Sequence, residues 1–332
     1  MARRNSPVFI VGCHRSGTNL LYDMLLSSGG FAIFRAAPFV YETLIPRFGD
    51  PGVLRNRERL MEFWLRSEAF RRSGLDAEDV KPKVMAGCRS GGEFLRIVMD
   101  EIARHQSAIR WAYYGPDCLL YMPRIKKELP GALFIHIIRD GRDIAVSLTK
   151  MQGIRPLPWD TERALFATAL YWNWVVSTGR RYGRKIASDY IEVHYEDLVA
   201  KPQETLVRLG KFIDHTLDYE RIKNAGIGRV SVPNSSFRGE ARGQEFNPVN
   251  RWKQKLSANE IVVVEQLIGG CLRECGYPLA TSEQSPSLSP GVRLMRSVYP
   301  LYFSAKLWLK SKTPVGRFAS LKNMELVEPA TQ

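Results

Sequence analysis

Four consecutive apolar residues, Val8-Phe9-Ile10-Val11, lie between Pro7 and Gly12. Apolarity without alternation predicts a short strand covered on both faces. The next apolar positions, Leu20, Leu21, Met24, Leu25 and Leu26, follow helical spacing, so a helix should open at Gly17-Thr18 and stop at Gly29-Gly30. Two more buried strands are expected at Leu133–Ile138 (LFIHII) and Tyr190–His194 (YIEVH), each followed by a helix-compatible stretch. Strands alternating with helices predict an α/β fold with a parallel sheet, whose ligands sit at the carboxyl ends of the strands. A long helix is expected over 161–180, with Trp172 and Trp174 in the core, while Pro156 and Pro158 exclude a helix from the preceding GIRPLPWD. Residues 35–115 read as a basic, mostly helical insertion on the substrate side. The Ser, Pro and Gln of 281–291 mark a linker, and 292–332 form a basic, aromatic tail.

A length of 332 residues suits one α/β domain with an insertion and a tail. The 48 Lys and Arg exceed the 34 Asp and Glu by 14, which favours nucleotides, acidic glycans, nucleic acid or an anionic membrane as partners without choosing among them. The five cysteines are scattered and lack CxxC spacing, so neither a disulfide framework nor a zinc site is expected, and a reducing cytoplasm fits best. Arg3 and Arg4 precede an apolar run too short for a signal peptide. No later segment approaches the roughly 18 apolar residues of a spanning helix. The expected location is cytoplasmic, with peripheral membrane attachment open.

The stretch VGCHRSGTNLL (11–21) has the glycine spacing of a phosphate loop. Backbone N–H groups of such a loop, with the start of the following helix, suit a tetrahedral anion. A nucleoside-triphosphatase loop adds Lys and Ser or Thr for the phosphates and magnesium. Here Thr18 and Asn19 occupy those positions, and Arg15 stands two residues before Gly17. The strand LFIHII ends in Arg139 where a magnesium-binding Asp is expected, although Asp140 is adjacent. These features predict an anion handled by arginine rather than by metal.

HRSGTNLL, followed by IIRDGRDIAVSL with Arg139 and Ser147 eight positions apart, resembles the two nucleotide-binding motifs of sulfotransferases that use 3′-phosphoadenosine 5′-phosphosulfate (PAPS), in particular the bacterial and tyrosylprotein branch. The similarity continues through VHYEDLVAKPQETLVRLGKFI (193–213) and NPVNRWKQKLS (247–257) and ends near GYPL (276–279), which delimits a domain over 5–280. The resemblance implies transfer of a sulfuryl group from PAPS, without a metal, to a hydroxyl acceptor. Arg15, Ser16, Gly17, Thr18 and Asn19 would hold the 5′-phosphosulfate, and Arg139 and Ser147 the 3′-phosphate. Tyr195 would lie near the adenosine or its phosphate, and Arg251 would close over the nucleotide. Arg238, in SFRGEARGQ, is similar to the arginine of a flexible closing loop.

The acceptor hydroxyl must lose its proton, so a general base is required. Glu42, in YETLIPRF, matches the stretch that carries the base of tyrosylprotein sulfotransferases, with one residue fewer before the proline. His14 and Asp117 are the next candidates, and a solvated or salt-bridged Glu42 remains the alternative. The chain departs from the family at Tyr114, where many relatives have Lys, and at Met151, where tyrosylprotein sulfotransferases have Arg. Two other functions compete: a P-loop kinase, separable by magnesium dependence, and a non-catalytic nucleotide- or nucleic-acid-binding module, suggested by aromatics among basic residues in 55–72 and 96–114. The leading reading has no nucleic-acid partner. The lack of a signal segment favours a small-molecule, glycan or lipid-linked acceptor over a lumenal protein tyrosine.

In the tail, VRLMRSVYPLYFSAKLWLKSK (292–312) carries five cations and no acid, with Pro300 expected to divide it into two short amphipathic pieces. Either these lie in a membrane interface and bring the enzyme to a lipid-linked acceptor, or they fold back over an apolar patch of the domain.

Overall fold

Strands β1 (Val8–Gly12), β2 (Ala112–Tyr114), β3 (Leu133–Ile138) and β4 (Tyr190–His194) form one parallel sheet in the order β2-β1-β3-β4. The computed structural model describes residues 3–36, 39–151, 164–230, 248–281 and 288–318. Val8 pairs with both Ala112 and Leu133, and Ile138 pairs with His194. Phe9, Val11, Phe134 and Ile138 enter the core on one face, whereas Val8, Ile10, Ile135 and Ile137 enter the core on the other. Two covered faces explain why β1 reads as an unbroken apolar run and β3 as one interrupted only by the buried His136.

The helix after β1 spans Thr18–Ser27, as its spacing predicts, and Gly29 and Gly30 follow it with positive φ. The 35–115 stretch is helical over Leu54–Leu65, Ala77–Gly87 and Gly91–His105, but it ends in β2. The stretch is thus mostly helical, and only its closing strand departs from the expectation: three residues are too few to show a period, and cross-strand packing defines them instead. Phe9 sits between Tyr113, with ring centroids 5.4 Å apart, and Phe134, at 5.3 Å.

The expected long helix spans Ala164–Gly183. Its expected beginning at 161–163 and the loop 153–160 lie outside the described residues. Trp172 is fully buried, while Trp174 is partly covered by the tail.

The tail differs from expectation in two ways. Its helix is continuous over Pro290–Lys312, so it begins inside the 281–291 span and passes through Pro300. Pro290 suits a first turn, capped by the Ser289 side chain. Pro300 forfeits one backbone hydrogen bond, but tertiary packing holds the helix on both sides of it. Val292, Met295, Tyr299 and Phe303 are buried, Phe303 meets the rings of Tyr171 and Trp174 at 5.4 and 5.5 Å, and Trp174 Nε1 donates to Ser304 Oγ at 3.0 Å. Among the described residues, no helix is long and apolar enough to cross a membrane.

Candidate functional site

At the carboxyl end of β1 the chain turns through Cys13–Gly17 into the Thr18–Ser27 helix, whose first N–H groups lack intrahelical acceptors. Gly17 has φ 97°, and a Cβ there would lie 2.3 Å from Tyr195 Cδ2, so only glycine fits. Arg15 is also left-handed, at φ 73°. Ser16 is fully buried and its Oγ has no hydrogen-bond partner.

The second motif meets this loop directly. Arg15 Nε donates to Ser147 Oγ at 3.1 Å, and Arg139 Nη1 donates to the Arg15 carbonyl at 3.1 Å. Arg139 Nη2 donates to the Pro248 carbonyl, its guanidinium lies 4.6 Å from the Tyr195 ring centre, and Asp143 approaches it at 3.9 Å. Its Nε is buried without a partner. Trp172 fixes the base of this arginine, donating from Nε1 to the Arg139 carbonyl at 3.0 Å. Burial, and then the neighbouring Arg139 charge, hold Arg15 below the usual guanidinium range. Two crowded guanidinium groups beside unpartnered buried donors are suited to an anion.

Asp143 accepts from the backbone N–H of Asn250 at 3.0 Å and of Trp252 at 2.9 Å. Burial pushes its carboxyl up to about 6, against the opposing pull of Arg139 and these N–H groups. It therefore ties the Arg251 segment to the start of the Gly141–Met151 helix that follows Arg139. Asp140, the residue that left a magnesium site open, gives both oxygens to Arg142, which also pairs with Glu265 and stacks 3.9 Å from the Trp252 ring centre. That carboxylate is committed to structure.

Glu42 lies in a π-helical turn, Val40–Leu44, and is 6% exposed. Its Oε1 accepts from Cys118 Sγ at 3.1 Å and its Oε2 is buried without a hydrogen-bond partner. It is neither solvated nor, among the described residues, ion-paired. Burial first, and the nearby Asp117 charge second, raise its carboxyl above the ordinary range.

His14 Nε2 and Asp117 Oδ1 are 3.1 Å apart, with both side chains partly exposed. Asp117 raises the imidazole. Burial opposes the Asp117 charge, but His14 outweighs it and keeps this carboxyl below its usual range. The pair thus contributes most between the unfolded carboxylate and imidazole values, about pH 4 to 6.5, and fades as pH rises through the higher folded value of His14. His14→Gln should lower the melting temperature near the acid end of this window more than in alkaline buffer. A deficit that does not change with pH in thermal melts would count against the ion pair.

Burial raises the Tyr114 hydroxyl, against opposing hydrogen bonds with Thr18 and Asn19, so a neutral group stands where the resemblance leads a lysine to be expected. Spacing gives no sign of three further contributors: Cys118 on Glu42, Asp143 on the Arg251 segment, and Lys310. The last belongs to the tail, yet its charge opposes the upward shift of Glu42 and helps lower Asp117. Arg238 and the side chain of Met151 lie outside the described residues. Among those described, no cluster of His, Cys, Asp and Glu has the makings of a metal site.

The model of the sulfotransferase family matches residues 7–219, which hold Arg15, Arg139, Ser147 and Tyr195 but not Arg251. The chain is 25% identical over 254 residues to protein-tyrosine sulfotransferase 1 of Danio rerio, covering 67% of this chain and 69% of that protein. It is also 25% identical over 209 residues to a Caenorhabditis briggsae protein whose name assigns it provisionally to the same group. That match covers 62% of this chain and 65% of that protein, so the chain spans just under two thirds of its length. Among solved structures, the sulfotransferase domain of the Synechococcus PCC 7002 olefin synthase aligns with a TM-score of 0.51 at 19% identity, over 79% of this chain and 94% of the other, and shares the fold.

Proposed function

This chain belongs to the sulfotransferase family, and we propose that it moves a sulfuryl group from PAPS to a hydroxyl acceptor. The observation that carries the reading is the junction of the two motifs. Arg15 is bonded to Ser147, and Arg139 to the Arg15 carbonyl, around the unpartnered Ser16 Oγ and Arg139 Nε. These buried donors fit the phosphate and sulfate groups of PAPS, which supplies an activated sulfuryl group on a bisphosphate leaving group. Ser16, Thr18, Asn19 and the backbone of the Gly17 loop would hold the phosphosulfate end. Arg139 and Ser147 would hold the 3′-phosphate, with Tyr195 and Arg251 beside the nucleotide. Arg15, in contact with Ser147, would place its guanidinium on the charge that develops on the leaving group.

On the acceptor side, Glu42 takes the hydroxyl proton. Its unpartnered Oε2 has free lone pairs, and its raised carboxyl is a stronger base than an ordinary glutamate. Commitment of Asp140 to Arg142 weighs against the kinase reading, which needs a free carboxylate for magnesium.

Calorimetry with PAPS, and separately with adenosine 3′,5′-bisphosphate, should show binding unchanged by EDTA. Loss of binding on chelation would return the kinase reading. Labelled PAPS offered with small-molecule, glycan and lipid-linked hydroxyl acceptors then tests transfer; release of label to none of them, with binding intact, would argue for a non-catalytic nucleotide-binding module.

A further inference from the structure

The Pro290–Lys312 helix is amphipathic twice over. Its inner face, Val292, Met295, Tyr299 and Phe303, is buried on the Ala164–Gly183 helix. On the opposite side Leu294, Val298, Leu301 and Trp308 recur at helical spacing, with exposures of 64%, 38%, 71% and 58%. Leu309 is exposed at 42% beside them, and Val315 and Phe318 extend the apolar surface past the helix end at 55% and 84%. Packing on the domain and facing outward are therefore not alternatives for this segment, since different faces do each.

Charge indicates what the outer face meets. Residues 288–318 contain no Asp or Glu, and Arg293, Arg296, Lys306, Lys312 and Arg317 are all exposed. The spacing of the stripe would also suit pairing with a second copy. A second copy, however, would set cations against cations with no acid in the segment to offset them. An anionic lipid surface satisfies both features: leucine and tryptophan enter the headgroup boundary, while the long basic side chains reach the phosphates. The end of the helix is held on the domain by Gly316, which packs against Pro46, so the face is presented by a fixed element rather than by a loose tail.

We propose that the outer face of the C-terminal helix is an interfacial docking surface for anionic membranes. The proposal does not depend on the transfer reaction, and its test reads binding alone. The full chain should co-sediment with vesicles of phosphatidylcholine containing phosphatidylglycerol, but not with phosphatidylcholine alone. A variant with Leu294→Ser, Leu301→Ser and Trp308→Ser should bind the anionic vesicles about tenfold more weakly, and high salt should weaken the native chain as well. Because the three side chains are exposed, melting temperature and calorimetric binding of adenosine 3′,5′-bisphosphate should be unchanged. Equal sedimentation of native and variant chains, or of native chain with both vesicle types, overturns the proposal. So does a concentration-dependent dimer in sedimentation velocity that the substitutions dissolve, which would assign the stripe to a second copy.

Discussion

Glu42→Gln should lower turnover by roughly 10² to 10⁴, the usual worth of a positioned base, and leave PAPS affinity unchanged. The substitution keeps the shape of the side chain and an oxygen for the Cys118 thiol, so what it removes is the ability to take a proton. Two further results separate loss of a base from loss of a structural contact. Because burial raises the Glu42 carboxyl, the native enzyme should gain activity as pH rises through that group, and the variant should lack this acidic limb. Stability should move the other way. A carboxyl raised on folding favours the folded state while it is protonated and ceases to do so as pH rises through its folded value. Above that folded value the Glu42 charge is a burden, and there Gln should raise the melting temperature slightly. If turnover falls less than about tenfold, below the range of a positioned base, the proton goes elsewhere. His14 is the next group to substitute and Asp117 follows.

The legible parts of the fold were those with enough residues to show a pattern. β1 is an uninterrupted apolar run, β3 is apolar but for His136 and β4 is rich in β-formers, and all three fall where expected. β2 has three residues and owes its place to Phe9 and to pairing with β1, neither visible along the chain. Pro300 was misleading for the opposite reason: a strong local rule was overridden by the burial of Tyr299 and Phe303 on either side of it.

The site divides similarly. Motif spacing and family resemblance marked the loop, Arg139, Ser147 and Tyr195, and these converge through hydrogen bonds, close packing and a cation–ring contact. Gly17 reads as a loop residue in the sequence; that it must be glycine because Tyr195 lies against it emerges only from the fold. The environment of Glu42 was least legible. Its burial and its links to Cys118 and Lys310 join the π-helical turn, the start of the helix before β3 and the far end of the chain. A single sequence with no distances cannot bring those three together.

Arg139→Ala should weaken binding of PAPS and of adenosine 3′,5′-bisphosphate by about 1.5–3 kcal/mol, or roughly tenfold to a hundredfold, the range for hydrogen bonds to a charged group. The side chain is fixed by the Arg15 and Pro248 carbonyls, by Asp143 and by the Tyr195 ring, so little ordering remains to be lost when an anion meets its unpartnered Nε. The Trp172 bond goes to the backbone carbonyl and survives the substitution, so the fold should persist, as a melting curve can show. Arg139→Lys provides the sharper comparison. Lysine keeps the charge but loses the planar fork that reaches two carbonyls and a phosphate together, so it should behave more like alanine than like arginine. If the lysine variant binds as tightly as the native chain, charge alone is sufficient there. If alanine does so as well, the 3′-phosphate is held elsewhere, and the junction of Arg139 with the Arg15 loop is a structural joint rather than half of a nucleotide site.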